Sequence, residues 1–376
     1  MVTVEKVDTT SSAQVHRFVQ FHYDLYRGTP QWVPPFYSDI KLMLNRKKHP
    51  FFEHSDGDFF IALRGKEVVG RLAILENRPF NQYHGTKKAQ FYLFDVINDL
   101  EVAKALFARA EEWCKERGLT EIVGPKGLSP FDGYGILVEG FEHRQMMTMM
   151  NYNFDYYPRL MEAMGFEKEV DFVSCHLTRD NFTVPDKIRE VARRVRERGK
   201  FKVINFKSKK ELKAWAPKIG EAYNKTFVNN WEYYPLTQNE IKFALDNLLV
   251  VAVPELIKII TYNDDVVGFM FGFPDVSAAL QRQGGRITPW GLVDIFLELN
   301  RTHFISLNGV GVLPEFHGRG GNTLLYDEMA RVLQDSRFTE GELTQMAETA
   351  VQIRKDMITA GGVPWKNHRV YHKTIG

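Results

Sequence analysis

The sequence predicts an α/β protein that contains two copies of one unit, each with helices around a mixed sheet. The chain of 376 residues is long enough for about two domains of ordinary size. A strand pair with a polar turn and a Val-Val-Gly segment occurs twice, with Gly70 and Gly268 198 residues apart. A short helix closing in glycine before a final strand also occurs twice, with Gly165 and Gly362 197 residues apart. Two signals at nearly one spacing indicate a duplication.

The first copy is predicted to have six strands and four helices. Alternating apolar residues and turn signals place the strands at 2–6, 59–64, 68–76, 89–97, 120–124 and 170–177. Helical spacing of apolar residues places the helices at 11–26, 38–46, 101–117 and 155–164. The resulting order is β-α-α-β-β-β-α-β-α-β.

The second copy repeats this order with one inserted helix. Its strands are expected at 202–206, 256–262, 266–273, 303–312, 341–347 and 368–374. Its helices are expected at 208–228, 237–249, 288–300, 322–335 and 350–360, of which 288–300 is the insertion. The domains are therefore predicted at 1–180 and 201–376, with a linker helix in 181–200. That helix is basic and amphipathic, which is typical of a bridging helix with a solvated face, although a role in binding RNA or membrane is the alternative.

Composition and charge exclude several classes of protein. The net charge is +2, which argues against nucleic acid or a membrane surface as a partner. The two cysteines follow no metal or disulfide spacing and indicate a reducing, cytoplasmic environment. The N-terminus does not read as a signal peptide, and the apolar runs are too short to span a bilayer. No HExxH or GxSxG pattern is present in the sequence, so neither a metal nor a serine nucleophile is expected.

A glycine-rich turn between an apolar strand and a helix is the most informative segment. It runs from Leu307 to Leu325 and contains Gly311, Gly318, Gly320 and Gly321. Glycine lets the backbone approach a ligand closely and adopt positive φ. A helix that begins directly after such a turn directs unpaired N–H groups and the positive end of its dipole at that ligand. The segment therefore predicts an anion site, with a diphosphate as the usual ligand.

This segment resembles the pyrophosphate loop of the GNAT acyl-CoA N-acyltransferases. That family usually has Gln/Arg-x-x-Gly-x-Gly/Ala, where this chain has His317-Gly318-Arg319-Gly320-Gly321-Asn322. Asn322 replaces the last small residue and is expected to cap the helix. The resemblance implies acetyl-CoA or another acyl-CoA as co-substrate, and no metal. It implies pantetheine contacts at Val310, Gly311 and Val312, and phosphate contacts at His317, Gly318, Arg319, Gly320, Gly321, Asn322 and Thr323.

The resemblance extends to most of the chain. Four further segments are similar to bacterial tandem-GNAT proteins of the YghO type, namely Pro30–Pro35, His49–His54, Val138–Phe141 and Asn151–Gly165. The resemblance implies two tandem GNAT-like folds. It does not identify an acceptor.

The first copy lacks the phosphate loop and carries a long insertion instead. Its fourth strand runs through Asp95–Glu101 into a helix without a glycine, and three acids there repel a diphosphate. The insertion, 125–155, is rich in glycine, methionine and aromatic residues. We expect it to line an acceptor pocket between the copies, with the alternative that it is a structural plug. The candidate acceptor-binding residues are Tyr134, Glu139, Asn151 and Tyr156.

The proton-transfer residues are less well defined. A carboxylate near the fourth or fifth strand often serves as base in the GNAT family, and Glu348 fits best, ahead of Asp294 and Glu298. The family's thiol-protonating tyrosine falls at Ile358, which leaves Tyr371 as the nearby phenol.

The resulting prediction is an acyl-CoA-dependent N-acyltransferase for a small amine or amino acid. Two alternatives remain. One is a non-catalytic protein that binds acyl-CoA or another metabolite. The other is a peptidyl- or aminoacyl-tRNA-dependent transferase, which the small net charge disfavours. The sequence does not indicate an oligomeric state.

Overall fold

The computed structural model describes residues 1–147, 150–228, 230–231, 233–317 and 319–376. The elements follow the predicted order twice. The strands are β1 (Val2–Lys6), β2 (Asp56–Arg64), β3 (Glu67–Glu76), β4 (Lys88–Val96), β5 (Glu121–Gly124), β6 (Ile136–Glu139), β7 (Glu167–Thr178), β8 (Phe201–Asn205), β9 (Ile257–Tyr262), β10 (Asp265–Pro274), β11 (Phe304–Val312), β12 (Glu340–Ala347) and β13 (Val363–Thr374). The helices are α1 (Ser12–Leu25), α2 (Tyr37–Met43), α3 (Arg78–His84), α4 (Leu100–Lys115), α5 (Tyr157–Ala163), α6 (Asp186–Glu197), α7 (Lys209–Thr226), α8 (Gln238–Val251), α9 (Ser277–Gln283), α10 (Pro289–Arg301), α11 (Gly321–Asp335) and α12 (Val351–Thr359).

The first compact unit comprises Met1–Phe172, Val276–Leu297 and Lys366–Gly376. Its strands β1 to β4 pair antiparallel in sequence order, β4 and β5 pair parallel, and β5 pairs antiparallel with β13. Apolar side chains cover both faces of the sheet. One cluster packs under α4 and the other under α1 and α2, which is the two-sided burial expected of a sheet between helices.

The second compact unit comprises Val173–Asp275 and Glu298–Trp365. Strands β8 to β11 lie side by side, and β12 joins β11 in parallel. A large apolar cluster packs α6, α11 and α12 onto one face of this sheet. The sequence of parallel and antiparallel pairs is therefore the same as in the first unit, which confirms the predicted mixed α/β architecture.

The compact units differ from two contiguous halves of the chain. Residues Lys366–Gly376, from the end of the second copy, belong to the first unit, where Tyr371 pairs with Gly124. The second part of β7, from the end of the first copy, belongs to the second unit. The inserted segment Val276–Leu297 also lies in the first unit. Strand pairing joins residues that are far apart in sequence, and this long-range pairing sets the composition of each unit.

The duplicated glycines mark equivalent backbone positions. Gly70 follows a bulge in β3 and pairs with Ala62 and with the end of β4. Gly268 follows a bulge in β10 and pairs with Ile260 and with the end of β11. The predicted equivalence of these two residues is therefore confirmed.

The second predicted pair of glycines is wrong by one residue. Gly165, with φ 80°, comes two residues after the end of α5. The matching left-handed residue after α12 is Gly361, with φ 92°, not Gly362. Both glycines end a helix where a side chain would be strained.

Three short elements escaped prediction, namely α3, β6 and α9. Each has only four to seven residues, too few for a periodic pattern to emerge. Helix α3 begins at a local cap, since the side chain of Asn77 accepts a hydrogen bond from the Phe80 N–H.

One buried histidine lies in the last strand of the first unit. The Nε2 of His368 is 3.0 Å from the carbonyl oxygen of Asn151, so Nε2 carries the hydrogen and donates. Among the described residues, its Nδ1 is buried without a hydrogen-bond partner. Burial lowers the pKa of His368 to about 4, because a proton on Nδ1 would place a charge where nothing stabilises it.

We expect His368 to make the first unit sensitive to acid. The folded-state pKa lies below the unfolded value of about 6.5, so the neutral histidine supports folding fully above that value and progressively less as the pH falls towards 4. His368→Gln keeps an N–H donor for Asn151 and cannot titrate. Urea unfolding between about pH 7 and pH 5 should show a loss of stability about 2 kcal/mol larger in the wild type than in the variant.

The comparison isolates His368 because other titrating groups are shared. Asp132, for example, has a pKa that burial raises to about 6, which acts in the opposite direction in both proteins. Equal pH dependence in wild type and His368→Gln would contradict the prediction.

Candidate functional site

Strands β11 and β12 are paired for only part of their length. Their parallel register runs from Phe304 and Glu340 to Leu307 and Leu343. Beyond that point β11 continues to Val312 and β12 to Ala347, with no further pairing between them in the described residues. The two strands therefore part, and one edge of β11 is left without a neighbouring strand.

A bulge in β11 sits at the point of parting. Met270 pairs with Val310 and Gly272 with Leu307, so β11 has one residue more than β10 across this interval. Gly309 has φ 91°, and a Cβ there would lie 2.9 Å from the Phe271 ring. Glycine is therefore required both by the backbone conformation and by the space. The register with β12 ends next to this bulge, and the gap that follows between the two strands is called the slot.

The glycine-rich turn closes the far end of this slot. The Nε2 of His317 donates to the carbonyl oxygen of Val312 over 2.8 Å, which folds the turn back onto the strand. Gly320, with φ 95°, is the N-cap of α11, and no side chain caps the helix there. The Thr323 hydroxyl donates to the Gly320 carbonyl oxygen. The first turn of α11 carries no acidic residue, so its N–H groups and dipole remain available to an anion.

Three of the predicted phosphate-loop residues differ from the rest in their position or surroundings. Asn322 was predicted to cap the helix, and this is wrong. Helix α11 begins at Gly321, so its N-cap is the left-handed Gly320. Gly318 lies outside the described residues. Arg319 is exposed, with its guanidinium 5.4 Å from the centroid of the Phe316 ring. Among the described residues no carboxylate pairs with Arg319, so its charge is available to a bound anion.

The basic linker helix α6 packs against the turn. Ala192 and Val195 are buried on its inner face, and Val195 lies so close that a Cβ on Gly320 would be 2.5 Å from it. Arg196 makes ion pairs with Asp327 and, at 2.8 Å, with Glu328 of α11. These contacts fit the interpretation of α6 as a bridging helix, and they hold the turn in place.

The equivalent position in the first unit is occupied by the protein itself. Helix α4 starts at a side-chain cap, where Asp99 accepts from the Glu101 N–H over 2.9 Å. Arg64 donates to the same carboxylate over 2.7 Å. An anion at this helix start would meet a carboxylate already hydrogen-bonded there. The first unit thus lacks the free helix terminus that the second unit has.

The gap between β4 and β5, the corresponding strands of the first unit, is occupied by the protein's own groups as well. The parallel register of β4 and β5 ends at Gln90 and Val123. Beyond it, the Lys126 N–H donates to the Phe91 carbonyl oxygen, and the Tyr156 hydroxyl donates to the Val96 carbonyl oxygen over 2.7 Å. The N–H of Val96 donates to the Tyr157 hydroxyl. The strand edge that has no partner strand among the described residues of the second unit is thus hydrogen-bonded internally in the first.

The four predicted acceptor residues all lie in the first unit. Tyr134 stacks on Phe172 with the ring centroids 5.1 Å apart. The Asn151 side chain donates to the carbonyl oxygens of Gly133 and Gly135. Tyr156 holds the β4 edge as described, and Glu139 is exposed at the end of β6. Three of the four therefore make contacts that support a structural plug, and a role in acceptor binding remains a prediction.

The predicted proton-transfer residues are separated between the units. Glu348 lies half-buried in the turn after β12 of the second unit. Tyr371 is buried in the apolar core of the first unit. Asp294, the weaker alternative, is held by two hydrogen bonds from Arg282 in the first unit. Ile358 is exposed on α12. The structure thus places Glu348 and the weaker alternative Glu298 in the same unit as the turn.

A tyrosine that the sequence analysis missed lies on the helix that follows the turn. The Tyr326 hydroxyl donates to Asp356 of α12 over 2.8 Å. The opposite side of α11 faces α6 and β9, where Glu328 pairs with Arg196 and Lys258. Tyr326 therefore lies on the side of α11 that faces α12, one helical turn after Asn322. Burial and the Asp356 carboxylate raise the pKa of Tyr326, so it is a neutral phenol at pH 7.

One group of potential metal ligands occurs in the described residues. Glu121, Glu169 and His372 lie close together in the first unit. The Lys88 ammonium lies 3.3 Å from Glu121 and 3.9 Å from Glu169. Its positive charge therefore already balances the two carboxylates of this group. Within the described part of the chain, no helix is both long and apolar enough to cross a membrane.

Comparison with solved structures defines the class of fold. The chain matches a tandem GNAT protein of the clavulanic acid biosynthesis pathway over 100% of its own length and 99% of that chain, with a TM-score of 0.56 and 13% identity. It also matches a glucosamine N-acetyltransferase region in a fungal β-N-acetylglucosaminidase, over 99% of this chain and 38% of that one, with a TM-score of 0.57 and 14% identity. The protein has the tandem GNAT fold, as the sequence predicted.

Sequence comparison points to particular relatives. The chain is 25% identical to protein YghO of Escherichia coli over 367 residues, which cover 95% of this chain and 92% of that protein. It is 24% identical to the bacterial ceramide synthase of Caulobacter vibrioides over 378 residues, covering 98% and 97%. No family model matches the sequence. The similarity to a tandem GNAT protein of the YghO type therefore extends over nearly the whole chain.

Proposed function

We propose that this protein is an acyl-CoA-dependent N-acyltransferase and that its second unit binds the acyl-CoA. The observation that carries the proposal is the open slot between β11 and β12, which ends at an uncapped helix start. The GNAT fold supports acyl transfer as the general class of reaction. The contrast with the first unit supports the choice of unit, because there both features are satisfied by the protein's own groups.

The chemistry of CoA matches the two halves of this site. Its diphosphate would accept hydrogen bonds from the backbone N–H groups at 319–323, with the α11 dipole and Arg319 adding favourable charge. Its pantetheine arm is extended and carries two amides. Those amides would pair with the edge of β11 at 310–312, where the Val312 carbonyl oxygen already accepts from His317, as an added strand pairs with a sheet edge.

The acyl transfer would then use groups of the second unit. The neutral amine of the acceptor attacks the thioester carbonyl, the C–N bond forms, and the C–S bond breaks to release the CoA thiolate. A backbone N–H at the β11 bulge would stabilise the oxyanion. Glu348 would take the proton that the amine loses, directly or through water. Tyr326, as a neutral phenol, would rotate its O–H from Asp356 to the departing sulfur.

The acceptor is proposed to be a small amine or amino acid. A second candidate is a long-chain amine, favoured by the 24% identity over 98% of this chain to a protein named bacterial ceramide synthase. A ceramide is a long-chain amino alcohol whose nitrogen carries a fatty acyl group. The same site would serve both acceptors, since the bond formed is an amide in each.

Native mass spectrometry followed by an acceptor screen tests the proposal. The purified protein would be examined for bound CoA species, then supplied with acetyl-CoA and long-chain acyl-CoA and with panels of amino acids and long-chain amines. Release of free thiol that depends on an amine supports the enzyme. Tight CoA binding without thiol release for any amine would favour the alternative of a non-catalytic binding protein.

We expect Gly321→Asp to weaken CoA binding without unfolding the protein. A Cβ at Gly321 meets nothing closer than 3.4 Å, and an acid in the first turn of a helix is stabilising. The carboxylate would repel the diphosphate, and CoA affinity should fall at least about tenfold by calorimetry. Gly321→Asn is the matched control, with similar size and no charge. Gly320 is unsuitable for this purpose, because any side chain there would clash with Val195.

Comparison of the two variants shows whether the negative charge or the added size of the side chain weakens CoA binding. Retained affinity in Gly321→Asn with loss in Gly321→Asp supports an anion at the helix start. Unchanged CoA affinity in Gly321→Asp would rule out the assigned site.

We expect Tyr326→Phe to lower kcat at least about tenfold with little change in KM for acyl-CoA, because the lost hydroxyl acts only on the departing sulfur. Tyr262→Phe, in β9 of the same unit, is the matched control. Steady-state kinetics with the acceptor found in the screen would measure both. A kcat for Tyr326→Phe equal to that of the control would remove Tyr326 from the reaction.

A further inference from the structure

Helix α10 presents an apolar face to solvent. Five apolar side chains on the helix are exposed, among them Trp290 at 83% and Phe296 at 66%. The others are Leu292, Val293 and Leu297, and Ile287 just before the helix is exposed as well. Scattered apolar residues on a surface are ordinary, but a contiguous face of this kind marks an interaction surface.

The opposite face holds the helix firmly on the protein. Gly291 and Ile295 are buried, and a Cβ at Gly291 would overlap the Gln283 side chain. Arg282 donates twice to Asp294, over 2.9 and 2.7 Å, and Gln283 donates to the Gly291 carbonyl oxygen. These contacts hold the opposite face of α10 against the protein, and the apolar side chains on the outer face therefore remain exposed.

The segment before α10 is anchored in the same unit. The Gln281 side chain donates to the carbonyl oxygens of Pro30 and Trp32, each over 2.8 Å. The Tyr37 N–H donates to the Gly285 carbonyl oxygen over 3.0 Å. Helix α10 thus begins from a rigid base, so its face is presented in one orientation.

The charges at the ends of this face are positive. Arg286 and Arg301 are exposed, and among the described residues neither pairs with a carboxylate. The guanidinium of Arg286 lies 5.9 Å from the centroid of the Tyr37 ring. The two acids of the helix are engaged, Asp294 with Arg282 and Glu298 with another group. An apolar face with unpaired cations at both ends complements a surface that is apolar inside and anionic at its boundary.

Against the expectation from the small net charge of the whole chain, we infer that the exposed face of α10 docks on a lipid bilayer that carries anionic headgroups. The apolar side chains would enter the headgroup and acyl-chain boundary, with Trp290 at interfacial depth and the two arginines at the lipid phosphates. A protein partner fits less well, because interfaces between proteins average one hydrogen bond per 100–200 Å². On this face the five exposed side chains of the helix offer only the indole N–H of Trp290.

Vesicle sedimentation with the full chain tests the inference. The wild type should sediment with vesicles of phosphatidylcholine and phosphatidylglycerol, and less with pure phosphatidylcholine. The double variant Trp290→Ser/Phe296→Ser should lose at least about tenfold in vesicle affinity, since two large apolar side chains leave the interface. Arg286→Gln/Arg301→Gln should weaken binding to the anionic vesicles only.

Two controls keep the test specific. Val250→Ser/Ile358→Ser removes two exposed apolar side chains elsewhere and should bind vesicles like the wild type. Gly321→Asp should also bind normally, which separates vesicle binding from acyl-CoA binding. Circular dichroism and Tm should be unchanged for the α10 variants, because the replaced side chains are exposed.

Three results would overturn the inference. One is a wild-type protein that does not sediment with anionic vesicles. Another is equal vesicle binding by wild type and Trp290→Ser/Phe296→Ser. The third is a dimer in analytical ultracentrifugation that this double variant abolishes, which would make the face an interface between two copies of the chain.

Discussion

The parallel pairing of β11 with β12 stops at Leu307 and Leu343, and the proposed site depends on that interruption. Peptide groups in a continuous sheet satisfy one another and leave nothing for a ligand. Here the bulge at Gly309 ends the pairing, so the following residues of β11 expose a row of donors and acceptors. The glycine turn and α11 come directly after that row, and a single strand thereby positions an amide-binding edge next to an anion-binding helix start.

The first unit shows the same architecture with its open strand edge covered by the protein's own groups. It has the same bulge before the end of its fourth strand, where Leu93 adopts φ 47°. The exposed edge is then covered by backbone at Lys126 and by the hydroxyl groups of Tyr156 and Tyr157, and Asp99 caps the helix. The duplication therefore kept the geometry of the sheet in both units and changed the groups that satisfy its open edge. A few side chains therefore determine whether the gap between two diverging strands can bind a ligand or is filled as part of the core.

Much of the fold was predictable because its signals are local. The apolar spacing at Val102, Leu106 and Ala110 and the glycine turn at Gly320 depend on neighbours within one or two helical turns. The exchange of the final strands was not predictable, since nothing in the sequence of β13 distinguishes pairing with β5 from pairing within its own half. Tyr326 was missed for a similar reason, because its partner Asp356 lies on another helix. The expected cap at Asn322 failed because Gly320, in a left-handed conformation, starts the helix earlier.

The placement of β13 has a consequence for the order in which the protein is made. The first unit contains residues 366–376, and Tyr371 is part of its apolar core. A ribosome that has translated the first half of the chain has therefore not yet supplied a strand which that half requires. The N-terminal unit reaches this packing only after residues 366–376 have left the exit tunnel. Until then the free edge of β5 stays exposed to whatever else in the cell can add a strand.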